Sequence, residues 1–156
     1  MRNVMEKKMK RNKQHTASAA ALAVSAELSR RGYDVAFTIG NTPRTDLLCS
    51  VPEGKAFKVQ VKGISGSYAF YVQKEFFDKK DREEALFLVV VLVPNDEQTS
   101  WRYFILTHED SRNEFAKISK IKKDGTRYVS GFGLNWGSIT PYENKWDKFP
   151  IKTQNQ

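Results

Sequence analysis

Residues 86–93 form an unbroken apolar run, Leu-Phe-Leu-Val-Val-Val-Leu-Val, which limits the folds open to this chain. A strand with one solvated face alternates apolar and polar residues, whereas a continuous run is typical of a central strand covered on both faces. Residues 101–106 are predicted to be its antiparallel neighbour, across a polar loop at 95–100. A chain of 156 residues suits one domain built around such a strand.

A helix is predicted near the start of the chain. Small and apolar residues recur there at steps of three and four: Ala17, Ala20, Val24 and Leu28. This spacing predicts a helix over residues 16–31, with Thr16 as its N-cap and Gly32 as its stop. The small side chains would let the helix lie close against a sheet.

The rest of the chain is predicted to alternate short strands with loops before a second helix. The strands are placed at 33–39, 45–51, 56–62 and 68–73, with a loop at 63–66 and an amphipathic helix at 108–121. This order predicts an α/β fold in which one mixed sheet has helices packed against it. We expect a basic N-terminal arm at 1–14, a single domain at 15–150 and a frayed tail at 151–156.

The charge of the chain points to a polyanionic partner. The formal net charge is +8 and the sequence pI is about 9.6, and lysines and arginines that neutralise phosphates release condensed counterions. A merely solubilising charge or an acidic protein partner would also account for it.

The composition excludes several other classes of protein. The single cysteine, Cys49, rules out an intramolecular disulfide, and Cys49, His15 and His108 match no zinc-binding spacing. The longest apolar stretch, 85–94, is too short to span a bilayer. We therefore expect a soluble, cytoplasmic protein with no membrane association.

A hairpin between the second and third strands sets the relative position of several polar residues. Pro52 presets the first turn position of a three-residue loop, and Gly54 is predicted to take the left-handed position of a bulge. Counting outward from that loop puts Asp46 directly across from Gln60.

The two faces of this hairpin differ sharply in polarity. In the predicted register one face is wholly apolar, with Leu47, Cys49, Val51, Phe57, Val59 and Val61. The other face carries Asp46, Leu48, Ser50, Lys58, Gln60 and Lys62. A one-residue slip would mix the two sets, so the pattern supports the register independently of the turn. Asp46, Gln60 and Lys62 then converge at the end of the hairpin far from its turn.

These three side chains have a chemical use together. A carboxylate and an amide carbonyl are hard oxygen ligands that suit Mg²⁺. A lysine beside the metal can orient or deprotonate an attacking water, or neutralise charge on the phosphorane. An ordinary surface hairpin with a polar outer face is the alternative interpretation.

Four segments of the chain resemble the PD-(D/E)xK nuclease superfamily, which includes the archaeal-type Holliday junction resolvases. They are AELSRRGYDV at 26–35, TDLL at 45–48, VQVKG at 59–63 and PYENKW at 141–146. The resemblance implies a restriction-endonuclease-like fold, a three-layer α/β/α arrangement with a central mixed β-sheet flanked by helices. It also implies a metal-dependent endonuclease that uses Mg²⁺ or Mn²⁺ to cleave nucleic acid, most commonly DNA.

The resemblance assigns roles to residues of the hairpin. It implies Asp46 as the principal metal ligand, Gln60 as the second through its carbonyl oxygen, the backbone carbonyl of Val61 as a third, and Lys62 as the catalytic lysine. VQVKG resembles the subgroup in which Gln replaces the second acidic residue, so the site has one negative charge fewer and should hold Mg²⁺ more weakly.

The first helix departs from the family pattern. This chain has Ala21 where the family's helix usually carries a glutamate. Glu27, one and a half turns later, is the candidate to take that role, although it would serve equally well as a solvated helix residue.

Three residues are candidate contacts to nucleic acid. They are Arg44 on the rim of the site, Lys58 on the polar face of the hairpin, and Ser65 in the Gly/Ser loop after Lys62. A homodimer is also possible, because cutting two strands needs two sites. Two other functions remain open: a nuclease-derived protein that binds nucleic acid without cleaving it, and a protein-interaction module whose basicity is incidental.

Overall fold

The chain is described from a computed structural model that covers residues 9–39, 45–52, 54–66, 69–72, 85–118 and 132–151, without the side chains of 69–72, 115–118 and 132–135. Within these residues the α-helices are α1 (Lys13–Arg30), α2 (His108–Ile118) and α3 (Trp136–Ile139), followed by short 3-10 helices at Thr140–Tyr142 and Trp146–Lys148. The strands are β1 (Asp34–Phe37), β2 (Leu47–Ser50), β3 (Ala56–Ile64), β4 (Ala69–Val72), β5 (Leu86–Leu92), β6 (Arg102–Thr107) and β7 (Phe132–Asn135). No helix among these residues is long and apolar enough to cross a membrane.

Five of the strands form one mixed sheet in the order β1-β2-β3-β5-β6. β3 and β5 run parallel, and the other neighbours are antiparallel. Every residue of β5 except Leu92 is buried, which confirms the prediction of an interior strand covered on both faces. β4 and β7 pair in a separate two-stranded sheet.

Each face of the large sheet is covered by a hydrophobic core. The core beneath α1 contains Ala20, Val24, Leu28, Leu47, Cys49, Phe57, Val59, Val61, Phe87, Val89, Val91, Val93, Ile105 and Phe149. The core on the opposite face contains Ile64, Leu86, Leu88, Val90, Phe104, Leu106 and Ile139, with Trp136 and Tyr142 packed against it. The helices therefore flank a mixed sheet on both sides, and the predicted fold class is confirmed.

The start of α1 differs from the prediction. Thr16 is not the N-cap: it lies inside the helix and is buried, because the helix begins three residues earlier at Lys13. Asn12 is the N-cap, and its side chain accepts a hydrogen bond from the backbone N–H of His15 at 2.8 Å. His15 Nδ1 in turn accepts from the Asn12 N–H at 3.3 Å, which completes a capping box. Part of the segment predicted to be an arm is thus the first turn of α1.

Gly63 explains how closely α1 approaches the sheet. The prediction that Gly63 lies in a loop is wrong, since β3 continues to Ile64. A Cβ on Gly63 would lie 2.6 Å from the Cβ of Ala20 and 2.7 Å from the carbonyl oxygen of Thr16. Only glycine leaves room for the helix backbone here.

The last part of the described chain packs against both the core and the edge of the sheet. The Phe149 ring lies 5.3 Å from that of Phe57 and 4.8 Å from that of Phe87. Arg102 on β6 donates two hydrogen bonds of 2.7 Å to the carboxylate of Glu143. These contacts make the C-terminal segment part of the folded domain.

Candidate functional site

The hairpin formed by β2 and β3 has the predicted register. Leu47 lies opposite Val59, and Ser50 lies opposite Ala56. The ladder ends at Leu47, and the Asp46 N–H donates to the carbonyl of Val59 at 2.9 Å, so the predicted link between Asp46 and Gln60 is made by their side chains. All six residues of the apolar face are buried, because α1 packs on that face.

The turn of the hairpin reaches this register by a different backbone conformation from the one predicted. Gly54 does not adopt a left-handed conformation. Its N–H donates to the carbonyl of Val51 at 2.8 Å, and a Cβ at this position would lie 3.0 Å from the Cβ of Val51. Glycine is therefore suited to the turn by its small size.

Asp46 joins the two strands where their ladder ends. Its Oδ2 accepts a hydrogen bond from Gln60 Nε2 at 2.8 Å and another from the Val61 N–H at 2.7 Å. Since β2 begins only at Leu47, the carboxylate takes over from the backbone as the partner of Val61. The N–H and C=O of one residue in a strand point to the same side, so the Val61 carbonyl faces this same gap.

Lys62 follows Gln60 by two residues on β3 and therefore lies on the same face of the sheet. Burial lowers the pKa of Lys62, the charge of Lys13 lowers it further, and the charge of Asp46 opposes both. Burial also raises the pKa of Asp46, against the lowering effects of the Val61 N–H and of Lys62. The site thus holds one carboxylate and one ammonium group, each partly withdrawn from water.

The donor atoms fit a hard divalent cation only modestly. In the part of the chain that the structure describes, neither Oδ1 of Asp46 nor Oε1 of Gln60 has a hydrogen-bond partner. Within the same residues, no cluster of three or more His, Cys, Asp or Glu side chains could hold a metal. One carboxylate and one amide oxygen match the small protein ligand set that Mg²⁺ accepts when it keeps several waters. The low negative charge predicts weak binding.

Comparison with known proteins identifies the fold. No protein-family model matches the chain, and no curated protein does. A solved structure of Hjc, a Holliday junction resolvase from the archaeal hyperthermophile Archaeoglobus fulgidus, matches 81% of this chain and 88% of its own, with 13% identity and a TM-score of 0.51. This chain has the restriction-endonuclease-like fold. At that identity the likeness shows the fold alone.

The structure does not bring Glu27 to the hairpin cluster of this restriction-endonuclease-like fold. Glu27 lies in the last turn of α1, at the opposite end of the helix from Lys13, and its charge acts on Tyr103 of β6. Its carboxylate accepts hydrogen bonds from Arg30, at 2.9 Å, and from Arg31. Burial acts to raise the pKa of Glu27, but the two arginines hold it below its usual value. The Arg31 guanidinium also lies 4.1 Å from the ring centre of Trp146, so Glu27 serves a structural ion-pair network.

The three candidate contacts to nucleic acid lie in different settings. Arg44 falls outside the described residues. Lys58 is exposed on β3, on the same face as Gln60 and two residues closer to the turn. Ser65 is exposed directly after β3, next to Gly66, whose φ is +83°.

Lys13 lies near the site, although the residues around it in the sequence do not predict this position. It is the first residue of α1, and its charge acts on Lys62. The signal that points to it is Gly63, directly after Lys62, because a glycine inside a strand often marks the close approach of another backbone. That backbone is the first turn of α1.

Proposed function

We propose that this chain is a metal-dependent endonuclease that hydrolyses phosphodiester bonds in nucleic acid, with DNA as its substrate. The observation that carries the proposal is the pairing of Asp46 with Gln60 at 2.8 Å, with Lys62 next to them on the same face of the sheet. The restriction-endonuclease-like fold, the likeness to a structure described as a Holliday junction resolvase and the formal charge of +8 support it.

Asp46 and Gln60 would hold a Mg²⁺ or Mn²⁺ ion, with the Val61 carbonyl as a third donor. Such an ion, when bound, lowers the pKa of its water and offsets charge on the phosphoryl oxygens. The Gln60 amide already donates through Nε2 to Asp46, so its Oε1 can face a cation without breaking that hydrogen bond. The same contact fixes the orientation of the carboxylate.

Lys62 has two roles open to it. As an ammonium it donates hydrogen bonds to a phosphate oxygen and neutralises charge that develops there. As a neutral amine it accepts a proton from the attacking water, and burial and Lys13 favour that form by lowering the pKa of Lys62. Both roles need the side chain beside the scissile phosphate, and the proposal puts that phosphate on the face of β3 that carries Gln60 and Lys62.

A homodimer belongs to the same proposal. Cleavage of both strands of a duplex needs two active sites, and two copies of this chain would supply them. Sedimentation equilibrium of the protein, with and without duplex DNA, measures whether the copies pair.

A plasmid-cleavage assay with Mg²⁺ or Mn²⁺ tests the proposed activity. We expect the wild type to nick supercoiled DNA, and Lys62→Ala and Asp46→Ala to lower the rate about 100-fold or more, since a positioned acid–base group contributes at least that factor. Lys55→Ala is the matched control, because Lys55 is exposed beside the turn at the other end of the hairpin. Equal nicking by the wild type and both site variants would show that the activity comes from elsewhere.

The neutral Gln60 favours a second candidate, a protein that binds nucleic acid without cleaving it. With one carboxylate and no acidic partner for it in the described cluster, metal binding is weak enough to have been lost. Salt-dependent binding of DNA in EDTA, together with no cleavage at any concentration of Mg²⁺ or Mn²⁺, would favour this candidate over the nuclease.

A further inference from the structure

The first turn of α1 is fixed to the end of the sheet where the candidate site lies. Arg11 donates hydrogen bonds to the carbonyls of Pro94, at 2.8 Å, and Val93, at 3.1 Å, just beyond the end of β5. The contact between Gly63 and the Thr16 carbonyl holds the helix backbone over the end of β3. β3 and β5 are parallel neighbours, so both anchors lie at the same end of the sheet.

Lys13 stands between these two anchors. It follows Arg11 by two residues and precedes Thr16 by three, which puts it one helical turn from the contact with Gly63. Lys62 is the residue before Gly63. The fold thus brings two lysines, far apart in the sequence, to the same end of β3.

Among the described residues, little negative charge lies near the two lysines. Lys13 is close enough for its charge to disfavour the charged form of Lys62, and within that part of the chain Asp46 is the one carboxylate whose charge has the opposite effect. Among the residues that the structure describes, neither lysine forms an ion pair. Holding like charges together costs free energy, and an anion between them would remove that cost.

We propose that Lys13 and Lys62 together bind one phosphate of a nucleic-acid strand, with Lys13 holding the phosphodiester in place beside Lys62. Lys13 is then a positioning residue, since it contacts the strand and does not act on the attacking water. The N-terminal end of α1 adds partial positive charge at the same place. This inference rests on the proposed nuclease function, because the phosphate belongs to the nucleic acid that the nuclease would cleave.

The test is nucleic-acid binding in EDTA, measured by fluorescence anisotropy over a series of salt concentrations. We expect Lys13→Met to make the slope of log K against log salt less negative by about 0.9 for duplex DNA, or about 0.7 for a single strand, the effect of one lost phosphate contact. Lys13→Arg should keep the wild-type slope, because it keeps the charge. Lys55→Met is the matched control for the loss of one surface lysine and should also keep the slope.

A second measurement separates binding from a structural role. Lys13→Met should unfold at a temperature no lower than the wild type, because it removes like-charge repulsion and no ion pair. A lower unfolding temperature would make Lys13 structural and overturn the inference. An unchanged slope in Lys13→Met, an equal change in Lys55→Met, or wild-type protein without salt-dependent binding would each overturn it too.

The outcomes for binding and cleavage are distinguishable. If the wild type fails to cleave but Lys13→Met still changes the slope as expected, the phosphate contact stands and the nuclease function fails. If the wild type cleaves DNA, and Lys13→Met binds and cleaves DNA as well as the wild type, the nuclease function stands and the phosphate contact fails.

Discussion

At the scale of single residues, the site depends on contacts that each satisfy two needs at once. Oδ2 of Asp46 accepts hydrogen bonds from both Gln60 and the Val61 N–H. The bond to Val61 closes the end of the β2–β3 ladder, and the bond to Gln60 holds the second candidate metal ligand. Gln60 contributes no charge, and its Nε2 lets it pair with a carboxylate that a glutamate would repel. The metal-free cluster is therefore stable at the expense of cation affinity.

Gln60→Glu should reverse that balance. Without metal, the new carboxylate loses the hydrogen bond to Asp46 and repels it, so the variant should unfold at a lower temperature than the wild type. With Mn²⁺, the added charge tightens binding, and the unfolding temperature should rise more than in the wild type, since a ligand that binds only the folded state stabilises it by mass action. Thermal denaturation in EDTA and across a Mn²⁺ series measures both effects, with Asp46→Asn as the control that should not respond to Mn²⁺. Equal Mn²⁺ shifts in Gln60→Glu and the wild type would contradict a metal site at this position.

At the scale of elements, hairpin register and helix position were predictable to different degrees. The alternation along β2 and β3 specifies the register, because a slip by one residue would expose the whole apolar set. The start of α1 was missed since Thr16 is a good N-cap by type, and only its packing against Gly63 shows that it lies within the helix. The residue types of the turn predicted a left-handed conformation for Gly54. The structure shows instead that glycine is needed there because the backbone lies close to Val51.

Gly63→Ala should move α1 away from β3. The new Cβ would lie 2.6 Å from the Cβ of Ala20 and 2.7 Å from the carbonyl oxygen of Thr16, and the second of these is backbone that cannot rotate away. Overpacking of this kind costs about 1–3 kcal/mol, or about 2–4 °C in unfolding temperature for each kcal/mol in a chain of this size. Urea denaturation measures the loss, and wild-type stability would contradict the close packing. Because Lys13 moves with the helix, DNA binding should weaken as well.

The start of α2 should make the protein sensitive to acid. Asp110 Oδ2 accepts from the Thr107 N–H at 2.9 Å and from Lys148 Nζ at 2.8 Å. Burial acts to raise the pKa of Asp110, but Lys148 and Thr107 together hold it below its usual value. A lowered pKa in the folded state stabilises the protein above the unfolded pKa of about 3.9, and this contribution disappears as the pH falls through the folded value.

Asp110→Asn should therefore be less stable than the wild type at pH 7, by about 1 kcal/mol for a weakened helix cap, and the difference should shrink towards pH 3. Urea denaturation at both pH values measures it. Asp147→Asn, at an exposed position of the same C-terminal segment, is the control that should show little change at either pH. A difference for Asp110→Asn that stays constant with pH would contradict the charged role of its carboxylate.

At the scale of the whole molecule, the fold was predictable while one part of the site was not. The succession of helices and strands along the chain predicted a mixed sheet with helices packed against it, and the apolar run predicted the interior β5. The segments that resemble nucleases implied the restriction-endonuclease-like fold. Arg30 and Arg31 follow Glu27 by three and four residues, so helix spacing alone favours these ion pairs. The contact that holds Arg31 over Trp146, from the far end of the chain, was not predictable. Such long-range contacts leave no periodic signal in the sequence. The role of Lys13 was hidden for the same reason.

Whether Lys62 belongs to a phosphodiesterase site is best measured by the rate of plasmid nicking in Mn²⁺. The rate of the wild type is compared with that of Lys62→Ala, with Lys55→Ala as the control. We expect nicking that stops in EDTA, falls about 100-fold or more in Lys62→Ala and persists in Lys55→Ala. Nicking that is unchanged in Lys62→Ala, or no metal-dependent nicking by the wild type, would contradict a phosphodiesterase site built on Asp46, Gln60 and Lys62.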